Sequence, residues 1–340
     1  MLKMLGAAAL LTLLASPALA QNKTLVVASY GGSWEQEMRN HVIPDFEKKH
    51  GIKVEYVAGN STDTLAKLQA QKANQVIDVA IMDDGVMYQA IQLGFCGTIQ
   101  GLDKSELYPA ASFKGDKAVA VGQTGTGFMI NTKTFKDKGW AAPTSWNDLK
   151  DAKFKKLLVI PPINNTYGLY ALVMYARMNG GGEKNIEPGF KAMKADVNPN
   201  VLVYEPSPGK MTELFQSGQG QIAVWGTGRV QAFANTGFPV DFIYPEEGAP
   251  ILLASVCPVA KPQINPLRHA FINALIGRDA QTALAKDGNG PVSNKVDPTM
   301  PELAMAPVGE RAKRVLTPDW DTINANREAW TKRWNREVER

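Results

Sequence analysis

Short apolar runs alternate with amphipathic segments along most of the chain, and this alternation limits the fold more than any other feature. The runs at residues 25–30 and 77–82 are almost continuously apolar, as expected of parallel strands buried on both faces. Turns rich in Gly, Ser or Asp follow these runs, and segments with helical periodicity come next. Repetition of strand, turn and helix predicts an α/β fold with doubly wound sheets.

Residues 122–131 divide this pattern into two series. Three glycines and two threonines lead into the short apolar run 128–130, as expected of a flexible approach to a buried strand. A second series of strands and helices follows between residues 157 and 244. The long apolar run 251–259 is expected to return the chain to the first series. The sequence therefore predicts two α/β lobes with the functional site in the cleft between them.

The first twenty residues predict a secretory signal peptide. A lysine near the amino terminus precedes the apolar run 5–14, and the segment ends in Ala-Leu-Ala at Ala20. This arrangement is typical of cleavage after Ala20, and the apolar run is too short for a membrane-spanning helix. No cysteine stands at the cleavage position, so we expect a free, exported protein.

Charge and cysteine content narrow the function further. The net charge of +4 is small for 340 residues, and the lysines and arginines are dispersed. Nucleic acid is therefore not an expected partner. The only cysteines are Cys96 and Cys257. In an oxidising compartment they form a disulfide, or else they are two separate, small buried residues.

No known catalytic, metal-binding or nucleotide-binding motif is found in the sequence. The three histidines form no His-Glu-x-x-His, the cysteines form no Cys-x-x-Cys, and neither a Gly-x-Ser-x-Gly elbow nor a phosphate-binding loop is present. The Gly-Thr-Gly at residues 226–228 lacks the third glycine of a dinucleotide-binding turn. We therefore expect no enzyme activity, no metal and no cofactor.

The turns after the predicted strands supply the candidate binding residues, because ligands of open α/β sheets bind beyond the carboxyl ends of the strands. With the two connecting strands, they give the following candidates: Tyr30, Gly32, Ser33, Trp34, Asp83, Asp84, Thr124, Gly125, Thr126, Asn165, Thr166, Tyr167, Trp225, Thr227, Arg229 and Ser255.

Each chemically distinctive candidate has two interpretations. Trp225 and Trp34 form flat apolar walls of a pocket, or Trp34 simply packs on its lobe. Asp83 and Asp84 bind a cationic group, or they only cap the following helix. Arg229 holds a carboxylate or phosphonate through a bidentate interaction, or it is a solvated residue in a first helical turn.

An ordered set of motifs resembles bacterial extracellular solute-binding proteins of ABC importers. The set is most similar to the spermidine/putrescine-binding branch, and the similarity covers nearly all of the chain after residue 20. The motifs are Tyr-Gly-Gly-Ser-Trp at 30–34, Phe-Glu-Lys-Lys-His-Gly-Ile-Lys-Val at 46–54, Ile-Asp-Val at 77–79, Gly-Thr-Gly at 125–127 with Asn131, Pro-Thr-Ser-Trp-Asn-Asp-Leu at 143–149, and Tyr-Pro-Glu-Glu-Gly at 244–248.

The resemblance implies a type II-like periplasmic binding protein in which crossing strands join two lobes that close on a solute. It implies residues 21–127 plus 258–300 for lobe 1, and residues 128–257 plus 301–340 for lobe 2. It further implies a monomer in the periplasm, a small-molecule solute and an inner-membrane ABC permease as partner. Trp34 and Trp225 match aromatic positions of the family.

The acidic positions of the polyamine-binding branch are not matched. The returning strand reads Leu-Leu-Ala-Ser at 252–255, and the loop 161–166 contains no acid. Burial of an ammonium group without a carboxylate is costly. We therefore expect a small polar solute that is amino-acid-like or carboxylated, or an amine held at Asp83 or Asp84. A true polyamine receptor, a periplasmic enzyme on this scaffold and a solute sensor are the alternatives.

Overall fold

The structure, a computed structural model, describes residues 24–339. The predicted signal peptide, residues 1–20, lies outside the described residues. Within residues 24–339, none of the helices combines the length and the apolar character needed to cross a bilayer.

Strands and helices alternate in both halves of the described chain. The strands are β1 (Thr24–Tyr30), β2 (Lys53–Gly59), β3 (Val79–Asp83), β4 (Val119–Asn131), β5 (Leu158–Ile160), β6 (Val201–Tyr204), β7 (Ile222–Gly226), β8 (Val240–Ile243), β9 (Ala249–Pro258) and β10 (Val315–Leu316). The α-helices are α1 (Ser33–Glu37), α2 (Ile43–His50), α3 (Ser61–Ala70), α4 (Asp84–Gln92), α5 (Thr132–Asp137), α6 (Thr166–Met178), α7 (Glu187–Ala192), α8 (Pro208–Gln216), α9 (Thr227–Asn235), α10 (Leu267–Ile276), α11 (Arg278–Lys286) and α12 (Trp320–Glu337).

The strand order is β2-β1-β3-β9-β4-β7-β5-β6, with β8 and β10 pairing at the sides. The three strands β2, β1 and β3 are mutually parallel and form the sheet of lobe 1. In lobe 2, β5 pairs in parallel with both β6 and β7. Every residue of β3 and β7 is buried, which explains why these runs lack polar alternation. The two-lobed α/β fold is confirmed.

The long strands β4 and β9 connect the two lobes. The first half of β4 pairs antiparallel with β9, and its second half, from Thr126 to Ile130, pairs with β7. At its other end, β9 pairs with β3. The strand predicted within residues 122–131 therefore begins earlier, at Val119, since buried pairing with β9 extends through the glycine-rich part.

Separate hydrophobic cores lie in the two lobes. Leu25, Met38 and Phe271 belong to the main core of lobe 1. The main core of lobe 2 contains Trp146 and also Trp334, which comes from the carboxyl-terminal helix α12. The boundaries of the lobes in the sequence stay a prediction.

A disulfide joins Cys96 to Cys257, with the Cα atoms 5.6 Å apart. Cys96 follows α4, and Cys257 lies near the end of β9, so the bond ties the segment after α4 to the returning strand. Both cysteines are buried in lobe 1.

Candidate functional site

A cavity of about 560 Å³ lies between the lobes, at the carboxyl ends of the parallel strands. We call this cavity the cleft. It has the size expected of a site for a small organic molecule. The predicted site residues that line it are Tyr30, Gly32, Ser33, Trp34, Asp83, Thr124, Asn165, Tyr167, Trp225 and Arg229. Further lining residues are Gly31, Ala58, Gly59, Asn60, Ser61, Asp63, Gly122, Gln123, Asn164, Pro206, Ser207, Pro208, Gly209, Gly228, Leu252, Ala254 and Asn289.

One aromatic pair from each lobe borders the cleft. In lobe 1 the rings of Tyr30 and Trp34 meet edge to face, with centroids 5.7 Å apart, and Trp34 Nε1 donates to Ser29 Oγ. In lobe 2 the rings of Tyr167 and Trp225 lie 5.1 Å apart. Because each ring packs on the other, the two pairs provide rigid apolar surfaces for the carbon skeleton of a ligand.

Asp83 is the buried acid of the cleft. It ends β3, and its backbone N–H donates to Ser61 Oγ at 2.9 Å. Its carboxylate accepts a hydrogen bond from Thr166 Oγ1 of the opposite lobe. The neighbouring hydroxyl of Tyr30 is buried without a hydrogen bond. Burial, and then the charge of Asp83, raise the pKa of Tyr30 well above its usual value, so this phenol stays neutral and can donate.

Arg229 is the cation of the cleft. It lies in the first turn of α9 in lobe 2, and its Nη1 donates to Gly31 O at 2.8 Å and to Ser33 Oγ at 3.2 Å. The side chain therefore spans from lobe 2 to the turn after β1 in lobe 1. Its guanidinium is half-buried beside the cleft, where it can pair with an anionic group.

Several helices begin at the cleft. Ser61 is the first residue of α3, Asn165 caps α6, Ser207 caps α8, and Gly228 lies in the first turn of α9. A helix amino terminus carries roughly half a positive charge and has backbone N–H groups without partners within the helix. Four such ends at one cavity favour an anionic ligand group.

A pair of threonines fixes the start of α9 to the connecting strand β4. The hydroxyls of Thr124 and Thr227 lie 2.8 Å apart. Gly125 N–H donates to Thr227 Oγ1, and Gly228 N–H donates to Thr124 Oγ1. These bonds hold the helix that bears Arg229 against the strand on which the lobes would pivot.

Six predicted site residues lie outside the lining of the cleft. They are Asp84, Gly125, Thr126, Thr166, Thr227 and Ser255. Asp84 instead accepts a hydrogen bond from Trp320 Nε1 at 2.8 Å, and Ser255 Oγ donates to Leu253 O at 3.1 Å. Thr126 is fully buried, and its hydroxyl has no hydrogen bond. Thr166 donates a hydrogen bond to the Asp83 carboxylate, and the Thr227 hydroxyl forms a hydrogen bond with that of Thr124.

Several polar lining residues were not among the candidates, and Asn60, Ser207 and Asn289 show why. Asn60 and Ser207 follow β2 and β6, so the rule that selected the other turns would have found them. Asn289 comes from the loop after α11, and its Nδ2 donates to the buried Glu37 Oε2 at 2.5 Å. No strand precedes Asn289 in that loop, so the sequence carried no signal for it.

The cleft offers no metal site within residues 24–339, where no group of three or more His, Cys, Asp or Glu residues is placed to hold a metal ion. The charged residues that line it are Asp63, Asp83 and Arg229. Asp63 is exposed at the rim, where its carboxylate caps α3 by accepting from Asn60 N–H.

Comparison with known proteins gives consistent matches. A family model described as "Bacterial extracellular solute-binding protein" matches residues 41–308. A Salmonella typhimurium protein named "Putative 2-aminoethylphosphonate-binding periplasmic protein" is 26% identical over 301 residues, covering 86% of each chain. The "Spermidine/putrescine-binding periplasmic protein 1" of Haemophilus influenzae is 23% identical over 275 residues, covering 77% of this chain and 74% of that protein.

The fold is similar to that of solved periplasmic binding proteins. The periplasmic binding protein AfuA from Actinobacillus pleuropneumoniae, solved with fructose-6-phosphate bound, superposes with a TM-score of 0.78. The match covers 93% of this chain and 98% of AfuA at 21% sequence identity.

Proposed function

Because the chain belongs to the bacterial extracellular solute-binding protein family, we propose that its cleft binds a small organic zwitterion. In this proposal an amino group of the solute lies near Asp83, and a carboxylate or phosphonate lies near Arg229. The protein is the periplasmic solute-binding component of an ABC transporter and delivers its solute to a permease.

One observation carries the choice of a zwitterion: the cleft contains one buried acid and one cation, contributed by opposite lobes. Asp83 belongs to lobe 1 and Arg229 to lobe 2. Arg229 lies in the first turn of α9 and near the start of α8, whose amino termini add positive potential beside it. Asp83 already accepts a hydrogen bond from Thr166. A solute with a single amino group and a single anionic group matches both ends of this site.

The related proteins support the same chemistry. The relative at 26% identity is named for 2-aminoethylphosphonate, a molecule with one amine and one phosphonate. A solute of this size fits within 560 Å³, and its short carbon chain would lie between the two aromatic pairs.

Closure of the lobes supplies the mechanism. In the structure, Arg229 reaches Gly31 and Asp83 receives Thr166, so contacts already cross between the lobes. A solute that touches both lobes adds further cross-lobe interactions in the closed state and none in the open state. Its binding free energy therefore shifts the population towards the closed form.

Calorimetric titration of the mature chain with three probes tests the proposal. 2-Aminoethylphosphonate and 4-aminobutyrate carry one amine and one anion, whereas putrescine carries two amines on a chain of similar length. We expect at least one of the zwitterions to bind about tenfold or more tightly than putrescine. Tight binding of putrescine without any response to the zwitterions would overturn the proposal.

A variant of Arg229 tests where the anionic end of the solute lies. Arg229→Met removes a charged partner of the anion, which is worth roughly 1.5–3 kcal/mol, or about 10–100-fold in affinity. The loss should be larger for a zwitterion than for putrescine, which separates this role from a general effect on closure. Lys210→Met is the matched control, since Lys210 lies exposed on α8, where it pairs with Glu213. Equal losses for both ligand types would contradict the assignment of Arg229.

A polyamine receptor is the second candidate. Two carboxylates, Asp63 and Asp83, line the cleft with four aromatic rings, and the relative at 23% identity is named for spermidine and putrescine. The surrounding helix amino termini and Arg229 oppose a second ammonium group. The putrescine arm of the titration decides between the two functions.

An enzyme on this scaffold is the candidate from another class. The cysteines are joined to each other, and the relatives are named as solute-binding proteins. A solute recovered chemically unchanged after prolonged incubation with the protein would support pure binding, and conversion of the solute would support the enzyme.

We also propose that the protein acts as a monomer, with the lobe boundaries predicted above except that the end of β9, including Cys257, belongs to lobe 1. Light scattering of the purified protein at micromolar concentration measures the oligomeric state directly, and a dimer would contradict the proposal.

A further inference from the structure

The guanidinium of Arg327, on α12, is buried without a hydrogen bond at either terminal nitrogen. The side chain is only 8% exposed, and both Nη1 and Nη2 lack a partner. Arg327 does not line the cleft. Its position behind the site therefore needs an explanation, because a buried charge is retained at a high cost in desolvation free energy.

One face of α12 places Arg327 behind Asp83. Trp320, Asn324 and Arg327 are spaced four and three residues apart, so they share a face of the helix. Trp320 Nε1 donates to Asp84 Oδ2 at 2.8 Å, and Asn324 Nδ2 donates to Gly85 O at 2.9 Å. This face is thus docked on the start of α4, directly after the buried acid of the cleft.

The anionic groups around Arg327 are Asp83 and Asp84. Both terminal nitrogens of Arg327 lack a partner, so neither acid accepts a hydrogen bond from them, and Asp84 Oδ1 is likewise buried without a hydrogen bond. Burial lowers the pKa of Arg327, while the negative charges of Asp83 and Asp84 act in the opposite direction. Arginine keeps its charge in such surroundings. Arg327, Asp83 and Asp84 therefore interact electrostatically as one buried group.

We propose that Arg327 is a specificity-determining residue of the cleft, which acts through Asp83 without touching the solute. Its fixed positive charge compensates part of the negative charge that Asp83 presents to the cleft. One ammonium group can still bind there when the solute also carries an anion for Arg229. A second ammonium group finds no net negative potential, so diamines bind weakly. This inference rests on the proposed function.

The test compares two ligands of equal chain length in variants that remove or keep the charge. Arg327→Met removes the charge and keeps an unbranched apolar side chain, whereas Arg327→Lys keeps the charge. Titrations of the mature chain with putrescine and 4-aminobutyrate give the ratio of the putrescine affinity to the 4-aminobutyrate affinity. 2-Aminoethylphosphonate is a third probe, which gives the same ratio with a phosphonate as the anion. We expect the Met variant to shift this ratio about tenfold or more towards putrescine and the Lys variant to preserve it.

A purely structural role would weaken all ligands by a similar factor, which would overturn the inference. Asp84→Asn provides a second measurement if the Met variant does not fold. The amide oxygen of the substituted side chain can still accept from Trp320, and at pH 8, above the Asp84 pKa of about 7, the substitution removes a negative charge beside Arg327. The ratio should then move away from putrescine, and an unchanged ratio would also overturn the inference.

The two proposals fail in different ways. Failure of the wild-type protein to bind any of the three probes would overturn the proposed function and this inference with it. Zwitterion binding by the wild type, with a ratio that responds to neither substitution, would overturn the role of Arg327 alone.

Discussion

Three buried carboxyl groups near the cleft have different electrostatic surroundings. Asp83 faces the cleft and accepts from Thr166. Asp84 is buried behind it, and desolvation is the main reason that its pKa rises to about 7. Glu37 lies under the turn after β1, where burial and then the charge of Asp287 raise its pKa to about 8. Adjacent positions in the sequence therefore differ in function because their side chains point into different environments.

Glu37 predicts a measurable pH dependence of stability. The carboxyl group has a pKa of about 8 in the folded protein, against 4.5 for the exposed group. Below pH 4.5 both states are protonated, and no stability is lost. Between about pH 5 and pH 7 the unfolded chain releases the proton while the folded chain keeps it. The free energy of unfolding then falls by about 1.4 kcal/mol per pH unit from this group.

Glu37→Gln removes this contribution while keeping an oxygen that can accept from Asn289. The variant should gain stability relative to the wild type as the pH rises from 5 to 7, by up to about 2–3 kcal/mol. Urea unfolding followed by tryptophan fluorescence at pH 5, 6 and 7 measures the difference. Parallel pH profiles for the two proteins would show that Glu37 is not held in its neutral form.

At the level of secondary structure, helix α12 contacts both lobes behind the cleft. Its residues Trp330 and Trp334 belong to the core of lobe 2, while Trp320 and Asn324 bond to the start of α4 in lobe 1. The helix begins at Trp320, where Asp319 caps it by accepting from Thr322 N–H. The contact with α4 therefore depends on the first two turns of the helix.

Gly85 in the first turn of α4 tests this contact. A Cβ atom at Gly85 would lie 2.1–2.4 Å from three ring atoms of Trp320. Gly85→Ala should therefore displace the indole and destabilise the protein by about 1–3 kcal/mol. Gly209→Ala is the matched control, since Gly209 also lies in a first helical turn and its Cβ would meet nothing closer than 3.9 Å.

Chemical denaturation compares the two alanine variants. The control should match the wild type or exceed it slightly, because alanine favours a helix over glycine. Equal stability of both variants would mean that Trp320 adapts without cost and that α12 is docked loosely on α4.

At the scale of the whole molecule, the disulfide restricts the unfolded chain. Cys96 and Cys257 are 161 residues apart in the sequence, so the bond closes a long loop. Replacing both cysteines with alanine should lower the free energy of unfolding by about 2–5 kcal/mol. Both residues are buried in lobe 1 and do not line the cleft, so solute affinity should stay within about twofold. Denaturation and calorimetry of the same variant measure the two effects, and an unchanged stability would contradict the prediction.

Local sequence pattern was sufficient to predict the class of fold and much of the cleft. Buried parallel strands need continuous apolar runs, and the turns after them carry glycine and polar residues, so Tyr30, Trp34, Tyr167 and Trp225 were found from local pattern. Local pattern also selected Asp84, Thr166 and Ser255, which it could not distinguish from lining residues because side-chain direction depends on packing partners distant in the chain.

Those directions follow from the packing of distant segments in the folded protein. It turned Asp83 into the cleft and Asp84 towards Trp320, a residue 236 positions away, and it brought Asn289 to the site from a loop without a preceding strand. It also placed Arg327 behind the acid of the cleft. Contacts between segments distant in the chain set the positions of these side chains. Local periodicity contains no information about such contacts.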